Sequence, residues 1–111
     1  MDGDITPLDK IYELTQKYDA LVYIDECHAS GFMGPSGKGT PDLFGLNGKI
    51  DFVSSTLGKS MGGASGGFLS SSKEVVDVLR NKARTYLFSN SIAPSIVGAS
   101  IEAYKMLAES K

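Results

Sequence analysis

A short, mainly apolar run that ends in a flexible, lysine-bearing turn restricts the folds open to this chain. Ile50–Val53 is followed by Ser-Ser-Thr-Leu-Gly-Lys-Ser-Met-Gly-Gly over residues 54–63. Glycine-rich sequence after a buried strand is typical of the sheet edge where α/β proteins bind ligands, and hydroxyl and free backbone N–H groups there suit a phosphate. We expect Lys59 to be partly desolvated in such a crevice, which favours the neutral amine that attacks carbonyl carbon.

Two other interpretations of the lysine turn compete with this one. A solvated lysine on a surface turn is the simplest, and the residues alone leave it open. A nucleotide-binding P-loop would need glycine at position 53 ahead of Gly58-Lys59-Ser60, and Val53 stands there. The second Gly-Lys pair, at position 38, is followed by Gly39 instead of serine or threonine. Spacing therefore excludes the P-loop.

Length and charge exclude several classes of function. The chain has 111 residues, which is enough for one small domain, and its net charge of −2 gives no basic field for nucleic acid or a membrane surface. No apolar run approaches the roughly 18 residues of a membrane span. Cys27 is the single cysteine, so no internal disulfide is possible and a reducing compartment is expected. One cysteine and one histidine cannot supply the ligands of a zinc site, so we expect no metal.

Three strands are predicted, and the spacing of two of them fixes their direction. The continuous apolar run at 20–24 predicts a central parallel strand at about 20–25, covered on both faces. Further strands are predicted at about 50–55 and 65–70. Only about ten residues separate these two, too few for a crossover helix, so the third strand should run antiparallel to the second. The chain is therefore predicted to be an α/β protein.

Three helices follow from apolar residues at helical spacing, each with an apolar stripe to pack against the sheet. Thr6 is a candidate N-cap with Pro7 at the first helical position, and Ser71–Glu74 has the pattern of a capping box. The helices are predicted at about 6–18, 72–84 and 94–108.

Two loops carry the remaining polar groups. Residues 29–48 are rich in glycine and are predicted to form a long loop with one short helix near 41–44. Residues 86–91 are predicted to form a loop whose hydroxyl and amide groups could donate to an anion. Asp25 and His28 follow the first strand at the edge where sites usually form, although a capping role for Asp25 is about as probable on sequence grounds.

Taken together, these segments resemble the α-oxoamine synthase family, pyridoxal-phosphate enzymes of the type I aminotransferase fold. The matching segments occur in the family's order and at about its spacing. Within the family, Ser89-Asn90-Ser91 after Tyr-Leu-Phe is similar to the glycine C-acetyltransferase branch. The matching segments are Met1–Asp4, Asp25–Gly31, Gly34–Gly39, Thr56–Lys59 with Gly62-Gly63, and Tyr86–Ser91.

The resemblance implies a role for each matching side chain. Lys59 would bind pyridoxal 5′-phosphate covalently and, once freed, move protons at the substrate Cα. Asp25 would pair with the pyridine nitrogen and keep it protonated, which makes the ring an electron sink. His28 would bond the phenolic oxygen of the cofactor. The phosphate would be bound by Thr56 with Ser54 and Ser55 close by, and by Ser89 and Asn90 from the neighbouring subunit, which implies a homodimer.

The implied reaction interconverts glycine plus acetyl-CoA and 2-amino-3-ketobutyrate plus CoA, as in threonine degradation. The family's other synthases, which form amino-oxononanoate, aminolevulinate or sphingoid base, are the alternatives, as is an inactive fragment that needs partner segments. Residues 1–111 would be part of the large domain and its mostly parallel sheet, without the N-terminal part and the C-terminal small domain. The implied location is cytoplasmic, or mitochondrial in a eukaryote.

Overall fold

A computed structural model of the chain describes residues 2–62 and 65–110. It contains a three-stranded sheet in the order β1 (Tyr23–Asp25), β2 (Phe52–Thr56) and β3 (Gly67–Ser70). β1 runs parallel to β2, and β3 runs antiparallel to it, as the short connection between them predicted. Gly63 of the lysine turn, Ala64 after it and Met1 of the first family segment lie outside the described residues.

The first strand differs from its prediction in length and position. β1 has three residues and pairs with β2 alone among the described residues, so it lies at the edge of this sheet and β2 lies at its centre. Leu21 and Tyr23 are 72% and 57% exposed, so the expectation that this run is covered on both faces is wrong here. Apolar content indicates that a strand is suited to burial, but the pairing partners decide whether it is central or at an edge.

The predicted helices are present with shorter ends, and one of them is divided. α1 spans Leu8–Lys17, the short α2 spans Thr40–Leu43, and α5 spans Pro94–Glu109. The helix predicted to end near residue 84 is broken at Ala83, whose ψ of 111° is extended. The break separates α3 (Lys73–Lys82) from α4 (Arg84–Leu87). α4 occupies the start of the segment predicted to be a loop at 86–91.

The helix caps lie one residue away from the predicted ones. Pro7, not Thr6, is the N-cap of α1, and no side chain caps that end of the helix. At α3 the cap is Ser72, whose hydroxyl accepts a hydrogen bond from the Val75 N–H at 3.4 Å. Ser71, which began the predicted capping box, donates instead to the Asp51 carbonyl at 2.6 Å and ties the start of α3 to the residue that precedes β2.

The buried apolar core is small, and most of its residues lie in the segments between the helices and strands. Large apolar side chains on the predicted helix stripes are exposed, so those stripes are not covered by other described residues. Spacing identifies the face of a helix that is suited to packing but not where the covering surface comes from. The core residues are Leu8, Val22, Ala29, Leu46, Leu57 and Met61, and the exposed stripe residues include Leu14, Tyr18, Val78, Val97 and Ile101.

Membrane-spanning helices are absent from the part of the chain that the structure describes, since none of its helices has the required length and hydropathy.

We predict that truncating Leu8 destabilises the fold far more than truncating Leu14 on the same helix. Leu8 is 1% exposed and Leu14 is 55% exposed. Leu8→Ala should lower the free energy of unfolding by about 2–4 kcal/mol, because it removes buried methyl groups and leaves a cavity. Leu14→Ala should change it by about 0.5 kcal/mol or less. Urea unfolding followed by circular dichroism measures both, and equal losses would contradict this description of the core.

Candidate active site

Parallel pairing of β1 with β2 places two predicted site residues side by side. Asp25 is paired in register with Ser54, and paired residues of neighbouring strands point to the same face of a sheet. Tyr23 and Phe52 occupy that face two residues earlier, with ring centroids 6.3 Å apart. The Glu26 N–H donates to the Ser54 carbonyl at 2.8 Å, which extends the pairing past the end of β1. The polar residues that follow β1 are therefore fixed to the strand that leads into the lysine turn.

A cavity of about 600 Å³ collects three of the residues that the sequence singled out. Asp25, His28 and Lys59 all line it, together with Cys27. Its apolar wall comes from the start of α1 and the residues before it, including Ile5 and Leu8, and from the residues of β1. The lining therefore combines charged and apolar groups, a composition common in sites for small molecules with an aromatic or aliphatic part.

Asp25 is held as a carboxylate at this cavity. Hydrogen bonds from the thiol and from the backbone N–H of Cys27 (2.8 Å) lower the pKa of Asp25. Partial desolvation opposes this effect, and the positive charges of Lys59 and His28 add to it. The same hydrogen bond raises the pKa of the Cys27 thiol, because it is a donor to an anion. At neutral pH Asp25 is an anion that can pair with a cationic partner.

Lys59 lies at the cavity but its side chain is exposed, so the expected desolvation is wrong for the described chain. The neighbours on each side, Gly58 and Ser60, are exposed as well. Small residues allow the backbone to turn sharply but provide no bulk to exclude water. The surface-turn interpretation is therefore right about the solvation of Lys59, while the shared cavity with Asp25 and His28 distinguishes this lysine from an arbitrary one.

Hydrogen bonds on both sides of Lys59 fix the backbone of the turn. Before it, the Thr56 hydroxyl donates to the Gly66 carbonyl and accepts from the Gly58 N–H, each at 3.1 Å. After it, the Gly62 N–H donates to the Lys59 carbonyl at 2.9 Å, and the Ser60 hydroxyl donates to the Ser30 carbonyl. The turn is held to β3 at one end and to the loop after β1 at the other.

The predicted phosphate ligands differ in their freedom to bind an anion. The Ser54 hydroxyl is buried and has no hydrogen-bond partner among the described residues. A buried hydroxyl without a partner is costly, so a ligand oxygen beside it would satisfy it. The Thr56 hydroxyl has used its only hydrogen in the bond to the Gly66 carbonyl, and it would have to release this bond to donate to a phosphate.

Ser89 and Asn90 stand apart from the other predicted site residues. Both are exposed in the segment between α4 and α5, and neither lines the cavity at Asp25. Within the described chain they are therefore not brought together with Lys59.

Two further polar residues near the site are buried. Glu26 was not singled out from the sequence, and Ser55 was predicted to lie close to the phosphate. Glu26 and Ser55 are both buried, and the Ser55 hydroxyl donates to the Ser30 hydroxyl at 2.8 Å. Strand alternation directs the Ser55 side chain away from the face shared by Ser54 and Asp25, where it bonds Ser30 instead. For Glu26 the signal is its position next to Asp25 at the end of an apolar run.

A second and larger cavity, of about 850 Å³, contains none of the predicted site residues. Phe68 of β3 and Tyr104 of α5 both line it, and their rings meet edge to face with centroids 5.9 Å apart. Burial raises the pKa of the Tyr104 hydroxyl. The smaller cavity is the candidate site, because Asp25, His28 and Lys59, three of the residues predicted from the sequence, meet there.

The described residues, 2–62 and 65–110, include no group of three or more histidine, cysteine, aspartate or glutamate side chains suited to a metal ion.

Comparison with known proteins gives the class of this chain. The family model described as aminotransferase class I and II matches residues 1–110. The chain therefore belongs to the aminotransferase class I and II family. It superimposes on a high-resolution structure of SPT (serine palmitoyltransferase) with PLP internal aldimine, with a TM-score of 0.87 and 38% identity over 96% of this chain and 27% of that one.

Two curated relatives are similar to this chain over almost its whole length. Mitochondrial 2-amino-3-ketobutyrate coenzyme A ligase of Mus musculus is 50% identical over 99% of this chain and 26% of its own length. The 8-amino-7-oxononanoate synthase of Treponema denticola is 47% identical over 99% of this chain and 28% of its own. These matches confirm the resemblance to α-oxoamine synthases. The chain spans about a quarter of the length of the curated relatives it matches.

We predict that Cys27→Ala raises the pKa of Asp25, since it removes the thiol donor and leaves the backbone N–H in place. A lowered carboxyl pKa stabilises the fold above the unfolded pKa, and this contribution is lost as pH falls through the lowered folded value. The Cys27→Ala variant should therefore lose this stabilising contribution at a higher pH than the natural protein. Carbon-13 NMR titration of the side-chain carboxyls measures the change directly.

Asp42 serves as an internal control for that titration. Its pKa is lowered by hydrogen bonds from Ser36 and Asn47, which the substitution does not touch. The pKa of Asp42 should be unchanged in Cys27→Ala. A pKa of Asp25 that also stays unchanged would contradict the assigned role of the thiol.

Proposed function

We propose that this chain is part of a pyridoxal-phosphate-dependent acyltransferase that interconverts glycine plus acetyl-CoA and 2-amino-3-ketobutyrate plus CoA. The observation that carries the proposal is the convergence of Asp25, His28 and Lys59 on one cavity in a chain 50% identical to a 2-amino-3-ketobutyrate coenzyme A ligase. The residues would form part of the large, cofactor-binding domain. The compartment would be mitochondrial in a eukaryote, as in the name of the mouse relative, and cytoplasmic in a bacterium.

The groups at the cavity fit pyridoxal phosphate in charge and in type. The amine of Lys59 is the group that can bind an aldehyde covalently. Asp25 is an anion, and it would hold a proton on the pyridine nitrogen by pairing with it. His28 lines the same cavity and would donate to the phenolic oxygen. When bound, the cofactor supplies an electron sink for negative charge at the substrate Cα.

For the phosphate, the carboxyl ends of β1 and β2 offer hydroxyl donors. Ser54 has a buried hydroxyl with no partner among the described residues, on the sheet face that it shares with Asp25. Thr56 lies two residues further along the same strand face and would contribute after giving up its bond to Gly66. Ser89 and Asn90 would reach the phosphate of a neighbouring subunit, as the resemblance to α-oxoamine synthases implies. Their exposure and their position away from the cavity of their own chain leave them accessible for this role. The site is then shared within a homodimer.

Lys59 would also move the proton at the substrate Cα. An amine acts as general base or acid when it can reach the carbon and is shielded from competing water. The turn around Lys59 is fixed at both ends by hydrogen bonds, which gives it a defined reach. The exposure of its side chain implies that a further surface, such as a second subunit, would cover it during the reaction.

The second candidate function is the formation of 8-amino-7-oxononanoate. The relative of that name is 47% identical to this chain, only slightly less than the ligase. Both functions use the same half of the site, so the residues at the cavity do not distinguish them. The product of the reaction distinguishes the two candidate functions.

We predict that borohydride reduction with pyridoxal phosphate fixes the cofactor on Lys59 in the longest natural protein that contains this sequence. Peptide mapping by mass spectrometry should place the adduct at Lys59, and Lys59→Ala should abolish both the adduct and turnover. Lys38→Ala is the matched control, because Lys38 also lies in a glycine-rich loop but lines the other cavity. An adduct that persists in Lys59→Ala would contradict the proposal.

The same preparation decides between the two candidate functions. With glycine and acetyl-CoA, the first candidate predicts release of free CoA and formation of 2-amino-3-ketobutyrate. Formation of 8-amino-7-oxononanoate from its own substrates, with no turnover of glycine and acetyl-CoA, would favour the second. An adduct on Lys59 with turnover of serine and palmitoyl-CoA would favour a sphingoid-base activity instead.

A further inference from the structure

Glu26 is a buried carboxylate that the proposed chemistry does not use. It is 4% exposed, whereas its neighbour Asp25 and the nearby His28 are exposed. Burial of a carboxylate is costly unless the charge is hydrogen-bonded or paired. Neither ion pair within residues 2–62 and 65–110 includes Glu26, so its stabilisation must come from hydrogen bonds.

The carboxylate of Glu26 accepts a hydrogen bond from the glycine-rich loop at residues 29–48. Its Oε2 accepts from the backbone N–H of Thr40, the first residue of α2, at 2.5 Å. The preceding residue, Gly39, has a φ of 102°, and a Cβ added there would collide with the Glu26 carboxylate. A charge-assisted bond to a helix-start N–H is among the stronger hydrogen bonds in proteins. Gly39 and Thr40 are therefore fitted closely to this one side chain.

The backbone of Glu26 organises the turn that carries Asp25 and His28. Its N–H donates to the Ser54 carbonyl at 2.8 Å, and its carbonyl accepts from the N–H groups of Ala29 and Ser30, each at 3.0 Å. These bonds close the turn after β1 around Glu26. A single residue thus joins the end of β1, the strand β2 and the glycine-rich loop.

We propose that Glu26 is a positioning residue: by binding the Thr40 N–H it holds the turn from Asp25 to His28 in place at the cavity. This inference rests on the proposed function of the cavity. If the anchor is lost, Asp25 and His28 can move relative to Lys59, and small displacements of groups around a bound cofactor cost affinity and catalysis.

The test distinguishes the effect of the length of the Glu26 side chain from the effect of its negative charge. Glu26→Asp keeps the charge but is one methylene too short to reach the Thr40 N–H, and Glu26→Gln keeps the reach without the charge. The same two substitutions at Glu13, which is exposed on α1, are the matched controls. The readouts, in the longest natural protein containing this sequence, are the dissociation constant for pyridoxal phosphate, the pH at which the absorbance of the bound cofactor changes, and the melting temperature without cofactor.

We expect Glu26→Asp to weaken cofactor binding by about tenfold and to shift the pH at which the absorbance changes. Glu26→Gln should stay within about threefold of the natural protein, because it retains an acceptor for the Thr40 N–H. The Glu13 variants should match the natural protein. Rescue by glutamine but not by aspartate is the signature of positioning through the hydrogen bond.

Other outcomes would overturn the inference. If Glu26→Asp lowers the melting temperature but leaves cofactor affinity and the pH response unchanged, Glu26 serves the fold alone. A loss in Glu26→Gln with none in Glu26→Asp would assign the effect to charge and not to reach. Equal losses in the two variants would show that an acceptor within reach is not sufficient, which also overturns the inference. If the natural protein itself forms no adduct on Lys59, the proposed function fails and the inference fails with it, whereas an adduct with an unaffected Glu26→Asp overturns the inference only.

Discussion

The site depends on the parallel pairing of two short strands. Because β1 and β2 run in the same direction, their carboxyl ends meet at one edge of the sheet, and the register sets Asp25 beside Ser54. The polar turn after β1 and the lysine turn after β2 then face each other across a cavity. An antiparallel arrangement of the same strands would place the two turns at opposite ends of the sheet. The chemistry proposed for this chain therefore follows from strand direction as much as from the residues themselves.

The electrostatics of the site are established without deep burial. Asp25 remains anionic because Cys27 donates to it and because cationic groups lie nearby, and not because it is shielded. Glu26, the one deeply buried acid among residues 2–62 and 65–110, binds the backbone of another loop. Both residues line the cavity, and they differ in what their carboxylates bind. The Asp25 carboxylate accepts a hydrogen bond from Cys27, and the Glu26 carboxylate accepts one from Thr40 and fastens the turn.

Much of this arrangement was predictable, and the failures have physical reasons. The short connection between β2 and β3 excluded a crossover helix, so their antiparallel pairing followed from length alone. The convergence of Asp25 and Lys59 followed from the rule that sites form at the carboxyl ends of parallel strands. The edge position of β1 and the exposure of Lys59 did not follow, because both depend on which surfaces cover a segment. The break at Ala83 and the anchor at Glu26 depend on local backbone conformation and on a contact 14 residues away in sequence.

The central claim is that Asp25 is an anion paired with the ring nitrogen of a cofactor held by Lys59. Nitrogen-15 NMR of the complete protein, loaded with pyridoxal phosphate labelled at the ring nitrogen, tests this pairing directly. The account predicts a protonated ring nitrogen at neutral pH in the natural protein and an unprotonated one in Asp25→Asn, with the cofactor bound at Lys59 in both. An unprotonated nitrogen in the natural protein, or the same protonated state in both proteins, would contradict it.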